Sequence, residues 1–265
     1  MKKIGLGILG FIFLNLYFNI TTHFVGNTML QLLGLLLFFP LAGFIAKRNG
    51  LDGLKGLGMK RDKQSLRYFG ISFLIGFSCW ALLYATYGLL GKFQLMGIKT
   101  ASETAWIFAQ IIVGFFLGSL INDLITRGYV VGFLKNKLPP FTVGAISVAI
   151  YALDDFWNGE LTLVNFLFSI LLGCSLTYAF YRTGSIWAST GIHFGLNMAF
   201  GLLYGLSGDV GDGVFVAERG SIEPFVNNSI ILSITVLLFL PVFLYYRKKQ
   251  SLTLKENMRE MTDLT

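Results

Sequence analysis

The stretch Phe69–Leu90, FGISFLIGFSCWALLYATYGLL, runs for 22 positions without one charged residue. A helix needs about 20 consecutive apolar residues to cross the hydrocarbon core of a bilayer. A soluble helix of that length would set an apolar face against a polar one. This stretch has no polar face, so it is expected to span a membrane. Seven more blocks of the same character surround it: about Ile4–Ile20, Met29–Ala46, Trp106–Ile125, Phe141–Trp157, Leu163–Tyr181, Ile186–Leu206 and Ile230–Tyr246. The block beginning at Trp106 is expected to continue past Arg127 to about Leu134, before Pro139-Pro140 stops it. The fold class expected is all-α: a polytopic membrane helix bundle of about eight transmembrane helices. Residues 1–250 form one transmembrane domain, and 251–265 a polar cytoplasmic tail.

The composition agrees. Apolar residues make up 54% of the chain and charged residues 13%, about half the charged share of an ordinary globular protein. Mean hydropathy is +0.67. Cys79 and Cys174 both fall inside apolar blocks and suit small buried hydrophobes. No Cys-x-x-Cys spacing exists, which excludes a zinc-finger type of site. The start Met-Lys-Lys followed by an apolar run resembles a signal peptide, but no small-x-small site follows Asn19, so an uncleaved first helix is expected.

Lys and Arg collect in cytoplasmic loops. With the N-terminus inside, 18 of the 21 Lys and Arg fall in inside segments, and only Lys92, Lys99 and Arg219 lie outside. One alternating path thus accounts for the charge, with both termini cytoplasmic. The net charge of +7 reflects this topology and contact with anionic lipid headgroups, and no nucleic-acid partner is expected. A multi-pass protein of a plasma membrane, of bacterial type, fits the pattern. In the inside loop Lys47–Arg67, Leu51, Leu54 and Leu57 have the spacing of a short amphipathic helix lying on the membrane. The pairs Gly191/Gly195 and Gly201/Gly205 have the spacing that lets membrane helices approach closely.

An ionisable side chain at membrane depth costs roughly 2.5–3.5 kcal/mol on insertion scales and is kept where something compensates for it. Three places carry such groups. Asn122-Asp123 precede Arg127, and Asp123 and Arg127 are four apart, hence neighbours on one helix face. They suit a structural ion pair or part of a site. Asp154-Asp155 close the fifth block beside Trp157. Either both sit at the outer interface or, in a deeper span, Asp155 faces the bundle. His193 and Asn197 are again four apart, and an imidazole with an amide can donate to a developing oxyanion or hold a water. The natural meeting place of these groups is a polar cavity between helices.

These motifs, in this order, resemble the CAAX prenyl protease and bacteriocin-processing (CPBP, or Abi) family of intramembrane metalloproteases, over about Trp106–Tyr204. The family's Glu-Glu-x-x-x-Arg reads Asn122-Asp123-Leu124-Ile125-Thr126-Arg127 here. Its Phe-x-x-x-His reads Tyr151-Ala152-Leu153-Asp154-Asp155. Its His-x-x-x-Asn is intact as His193-Phe194-Gly195-Leu196-Asn197, with the lead-in Tyr181–Trp187. The resemblance implies peptide hydrolysis within the membrane. A glutamate and a histidine activate water there, a divalent metal such as zinc is often invoked, and the last histidine and asparagine stabilise the oxyanion. It implies a membrane-embedded peptide or protein as substrate or partner. The catalytic positions would be Asn122, Asp123, Arg127, Asp155, His193 and Asn197, and the metal-ligand positions Asp123, Asp155 and His193.

The departures fall on the water-activating half. Asn122 cannot act as a general base at neutral pH, and Asp155 lacks the near-neutral pKa of the imidazole it replaces. Two functions stay open. One is a member with lost or altered catalysis, acting in immunity, scaffolding or regulation of membrane proteins. The other is an active endopeptidase that uses Asp123 and Asp155 with His193 and Asn197 as oxyanion stabilisers. A transporter is disfavoured, because no repeated half is visible.

Overall fold

The structure is a computed structural model that describes residues 2–157, 159 and 162–248. The tail 251–265 lies outside the described residues. The first two helices, α1 (Lys2–Phe24) and α2 (Thr28–Arg48), form a hairpin whose turn is capped by Asn27, which accepts from the Met29 and Leu30 amides. A four-residue α3 (Gly53–Gly56) leads to α4 (Lys63–Leu89). Strand β1 (Phe93–Ile98) follows, and then α5 (Ala101–Asp123). A π-helical turn, Leu124–Tyr129, passes directly into α6 (Val130–Leu134). After the two prolines come α7 (Pro140–Asp154), a 3-10 turn (Asp155–Trp157), α8 (Leu163–Thr183) and α9 (Ile186–Tyr204). Strand β2 (Phe215–Arg219) and α10 (Pro224–Tyr246) complete the described chain.

Among the described residues, six helical stretches are long and apolar enough to cross a membrane: α1, α2, α4, α5 through α6, α8 and α10. The other two expected spans are α7 and α9, where the polar site residues lie. At 15 residues, α7 is about 22 Å long, short of the roughly 30 Å core. The bundle is apolar outside and encloses polar groups within an otherwise apolar core. Leu33, Leu74, Leu82, Trp106, Phe141 and Leu240 are exposed on its surface, whereas Ser72, Asp123, Arg127, Ser147 and Thr190 are fully enclosed. This is what a lipid solvent selects, since polar groups must find partners within the protein. The chain is a multi-pass membrane protein of the all-α bundle class.

Helices α4 and α9 meet at glycines. A Cβ on Gly191 would stand 2.5 Å from the Phe69 carbonyl oxygen, and one on Gly195 2.3 Å from that of Phe73. Gly76 answers from α4, 2.2 Å from the Ile192 carbonyl oxygen on the same construction. The expectation of close packing at Gly191/Gly195 is thus met by backbone-to-backbone contact.

Two other expectations change. The segment around Leu51, Leu54 and Leu57 does not lie on the membrane surface. Leu57 is fully enclosed, the Gly58 carbonyl accepts from the Ile186 amide at 3.0 Å, and Trp187 Nε1 donates to the Lys60 carbonyl at 2.6 Å. The glycines let it fold back as a plug on the basic end of the bundle: Leu57 O would be 2.6 Å from a Cβ on Gly128. The opposite end carries a small antiparallel sheet in which Phe93 pairs with Arg219 and Ile98 with Phe215, an addition to the all-helical plan.

Candidate functional site

The π turn after α5 positions the first polar group. Inserting one residue into the helical ladder re-aims side chains, and π turns recur at functional sites for this reason. Here the turn carries Arg127 inward. Arg127 Nη1 donates to Asp123 Oδ1 at 2.6 Å, and both side chains are wholly enclosed. The same nitrogen donates to Thr126 Oγ1 at 2.9 Å, while Arg127 Nε and Nη2 have no hydrogen-bond partner among the described residues. The guanidinium lies 4.1 Å above the Tyr151 ring, a cation–π contact that partly compensates for the missing bonds.

The other Asp123 oxygen, Oδ2, accepts from Thr190 Oγ1 on α9 at 3.0 Å. One turn along α9, His193 brings its Nδ1 to 3.5 Å from Asp123 Oδ1. The pair is within ion-pair reach but not aligned as a hydrogen bond, so Nδ1 is left without one. Tyr151 also meets the His193 ring edge to face, with centroids 5.9 Å apart. Asp123 therefore sits behind His193, clamped by Arg127 and Thr190.

In front of His193 lies a cavity of about 860 Å³, lined among others by Ser119, Asn122, Asp154, Asp155, His193 and Asn197. Asp123 and Arg127 do not line it. Asn197 Nδ2 donates to Ser119 Oγ at 3.1 Å, which fixes its amide on the cavity wall beside His193. Asn122 accepts from Arg127 Nη1 through Oδ1 at 3.4 Å and donates from Nδ2 to Asp154 Oδ2 at 2.9 Å, and so links the enclosed pair to the cavity wall. The other oxygen, Asp154 Oδ1, accepts from Asn15 Nδ2 at 2.6 Å and Asn19 Nδ2 at 3.2 Å, both on α1. A carboxylate offers about four lone-pair sites, so among the described residues this amide cradle fills Oδ1 and leaves one lone pair of Oδ2 without a donor.

Of the two aspartates that end the fifth block, Asp154 is the one held inside the bundle. Asp155 begins the 3-10 turn, borders the cavity and accepts from Ser169 Oγ at 2.5 Å. The predicted residues thus fall into two groups. Asn122, Asp155, His193 and Asn197 face the cavity, while Asp123 and Arg127 form a sealed pair behind it. Sequence reasoning missed the Asp154 cradle and Thr190. A signal for the cradle was present: Asn15 and Asn19 are four apart in an apolar helix, the spacing that singled out His193 and Asn197.

The residues proposed as metal ligands do not fit a metal. Asp123 is enclosed and ion-paired to a guanidinium, and Asp155 accepts from Ser169. Among the described residues, no three His, Cys, Asp or Glu side chains converge on a common point. What the cavity offers instead is amide, hydroxyl, imidazole and carboxylate hydrogen bonding next to apolar walls.

Comparison with known proteins gives one positive finding. Residues 104–199 match the family model Rce1-like, described as type II CAAX prenyl endopeptidase Rce1-like. No curated protein and no solved structure matches the chain. The matched segment runs from α5 through the π turn to most of α9, and so contains Asn122, Asp123, Arg127, Asp154, Asp155, His193 and Asn197. Over residues 104–199 this membrane bundle is thus similar to the Rce1-like, type II CAAX prenyl endopeptidase (CPBP) family.

Proposed function

We propose that this CPBP-type membrane protein holds a membrane-embedded peptide or partner segment in its cavity without hydrolysing it, in the plasma membrane of a bacterium. Immunity, scaffolding and regulation of other membrane proteins are roles of that kind. The observation that carries the reading is the commitment of Asn122. Where the resemblance requires a water-activating glutamate, the chain has an amide, and its N–H is already donated to Asp154. The neighbouring carboxylate, Asp123, has no exposure to the cavity and faces Arg127. His193 and Asn197, the half of the site that recognises a peptide carbonyl, are kept.

One observation favours a second reading, an endopeptidase with a relocated carboxylate. Asp154 lines the same cavity as His193, and its Oδ2 retains a lone pair for a water. In this form the base is Asp154, because Asp123 is sealed. Comparing membrane peptides by mass spectrometry in wild-type, deletion and Asp154→Asn strains at equal protein levels separates the two. The binding reading expects that any phenotype of the deletion is rescued by Asp154→Asn, which keeps an acceptor for Asn122 but cannot act as a base. If Asp154→Asn accumulates the same uncleaved precursor as the deletion, the protein is a hydrolase.

A further inference from the structure

The cavity wall is polar at depth and aromatic toward the rim, where Lys92 stands. Lys92 is half-buried, lies with Nζ 3.9 Å above the Tyr87 ring and donates to Asn227 Oδ1. All these neighbours are neutral, and among the described residues no carboxylate is ion-paired with Lys92. Burial pulls its pKa below the usual lysine range. The other cation at the rim, Arg219, is already paired with Asp209 at 2.8 Å. A cation withdrawn from water without a counter-charge is unfavourable, and an anion delivered by a ligand would correct this.

The rim also has a defined side. Strand β1 follows α4, β2 follows α9, the two strands pair, and Asn227 opens α10. These three helix ends therefore share one end of the bundle. The other end holds the α2–α4 connection, Arg182, and Arg247, whose carbonyl accepts from the Arg182 guanidinium. That end carries most of the basic residues, which the positive-inside rule assigns to the cytoplasm.

We propose that the cavity is loaded from the non-cytoplasmic face by an apolar peptide segment whose polar end places a carboxylate on Lys92. This rests on the reading of the cavity as a peptide site. A peptide is favoured by the cavity floor, since Ser119, His193 and Asn197 offer the hydrogen-bond partners that backbone groups require away from water, whereas a hydrocarbon chain requires none. The carboxylate comes from an acidic side chain or a free C-terminus.

The test uses the full chain in neutral maltoside detergent and dye-labelled apolar hexapeptides: an amide ending in one aspartate, its asparagine counterpart, and an uncharged sequence with a free C-terminus. Fluorescence anisotropy is expected to show the aspartate peptide binding on the order of tenfold tighter than the asparagine peptide. The third peptide shows whether a C-terminal carboxylate serves equally. The preference falls to near one in Lys92→Met and returns in Lys92→Arg. Equal binding of the aspartate and asparagine peptides by the wild type overturns the role of Lys92 while leaving the cavity as a peptide site. Binding of none of the peptides overturns both. For sidedness, Arg219→Cys and Lys55→Cys are made with Cys79 and Cys174 replaced by alanine. A membrane-impermeant maleimide added to intact cells is expected to label only Arg219→Cys, and any other pattern overturns the assignment.

Discussion

Asn122 and Asp154 face each other across the cavity wall at 2.9 Å, the amide donating to the carboxylate. The contact ties the C-terminal end of α5 to that of α7, and Asp154 extends it to α1 through Asn15 and Asn19. Three helices thus share one buried carboxylate. Removing one donor by Asn122→Ala is expected to lower stability by about 1.5–3 kcal/mol, the range for a hydrogen bond to a charged group. In an Asp154→Asn background the same change is expected to matter much less, because the two residues are in contact and their effects do not add. Thermal unfolding of the four proteins in detergent measures the coupling, and simple additivity would show that the contact does not hold the wall together.

The pair behind the wall should behave differently. Arg127 and Asp123 are fully enclosed, and removing one partner leaves an uncompensated charge. Arg127→Met is expected to destabilise the protein by about 3–5 kcal/mol, and the double change Asp123→Leu/Arg127→Met by clearly less. A double variant as unstable as the single one would mean that the charges act through something other than each other. Asp123→Asn is a poor probe of catalysis for the same reason: it disturbs the clamp on His193 before it touches any chemistry at the cavity.

Much of this architecture was legible in the sequence because a bilayer imposes length and polarity on each span. The blocks from Ile4 to Tyr246 mark nearly every helix, and the spacing of Asp123 to Arg127 and of His193 to Asn197 marks the faces that meet. What periodicity does not carry is the depth at which a span ends. Asp154 and Asp155 look equivalent in sequence, but α7 stops one residue short of Asp155. That places Asp154 in the last helical position facing α1 and Asp155 in the turn. The same limit hid the sealing of Asp123: neighbours 122 and 123 point about 100° apart on a helix, so one can face a cavity while the other is enclosed. The inward fold of Leu57 was unreadable for another reason, since it depends on space left by Gly128 in a distant segment.

The α4–α9 seam gives a steric prediction. Gly195→Ala would place a methyl group 2.3 Å from the Phe73 carbonyl oxygen, a backbone atom that cannot rotate away. Overpacking of this kind destabilises by about 1–3 kcal/mol, and it should also shift His193 and Asn197, which flank the glycine. Gly144 on α7 has nothing within 4 Å of its built Cβ, so Gly144→Ala is expected to be neutral or slightly stabilising, by up to about 1 kcal/mol. Thermal unfolding of the two variants side by side decides it, and equal losses would mean that the seam is not the tight contact described.

The start of α4 gives a pH prediction. Asp62 caps this helix by accepting from the Ser65 amide at 2.6 Å, and that bond, with the charge of Lys60 nearby, holds its carboxyl below the usual aspartate range. A carboxyl depressed in the folded state contributes stability above its ordinary pKa and loses it as the pH falls through the folded value. The contribution of Asp62 should therefore be complete above about pH 4 and fade below it. Asp62→Asn keeps an acceptor for Ser65 but does not titrate, so the stability difference between wild type and variant should shrink as the pH falls from 5 to 3. Beyond the cap, Ser65 Oγ meets Ser185 Oγ at 3.2 Å, at the start of α9. Loss of the cap should for this reason loosen the basic end of the α4–α9 seam first. Faster hydrogen exchange near Ser185 at pH 3 than at pH 5 in the wild type, corrected for intrinsic rates and reduced in Asp62→Asn, is the expected sign. Exchange that follows pH equally in both proteins would assign the acid sensitivity to other carboxylates.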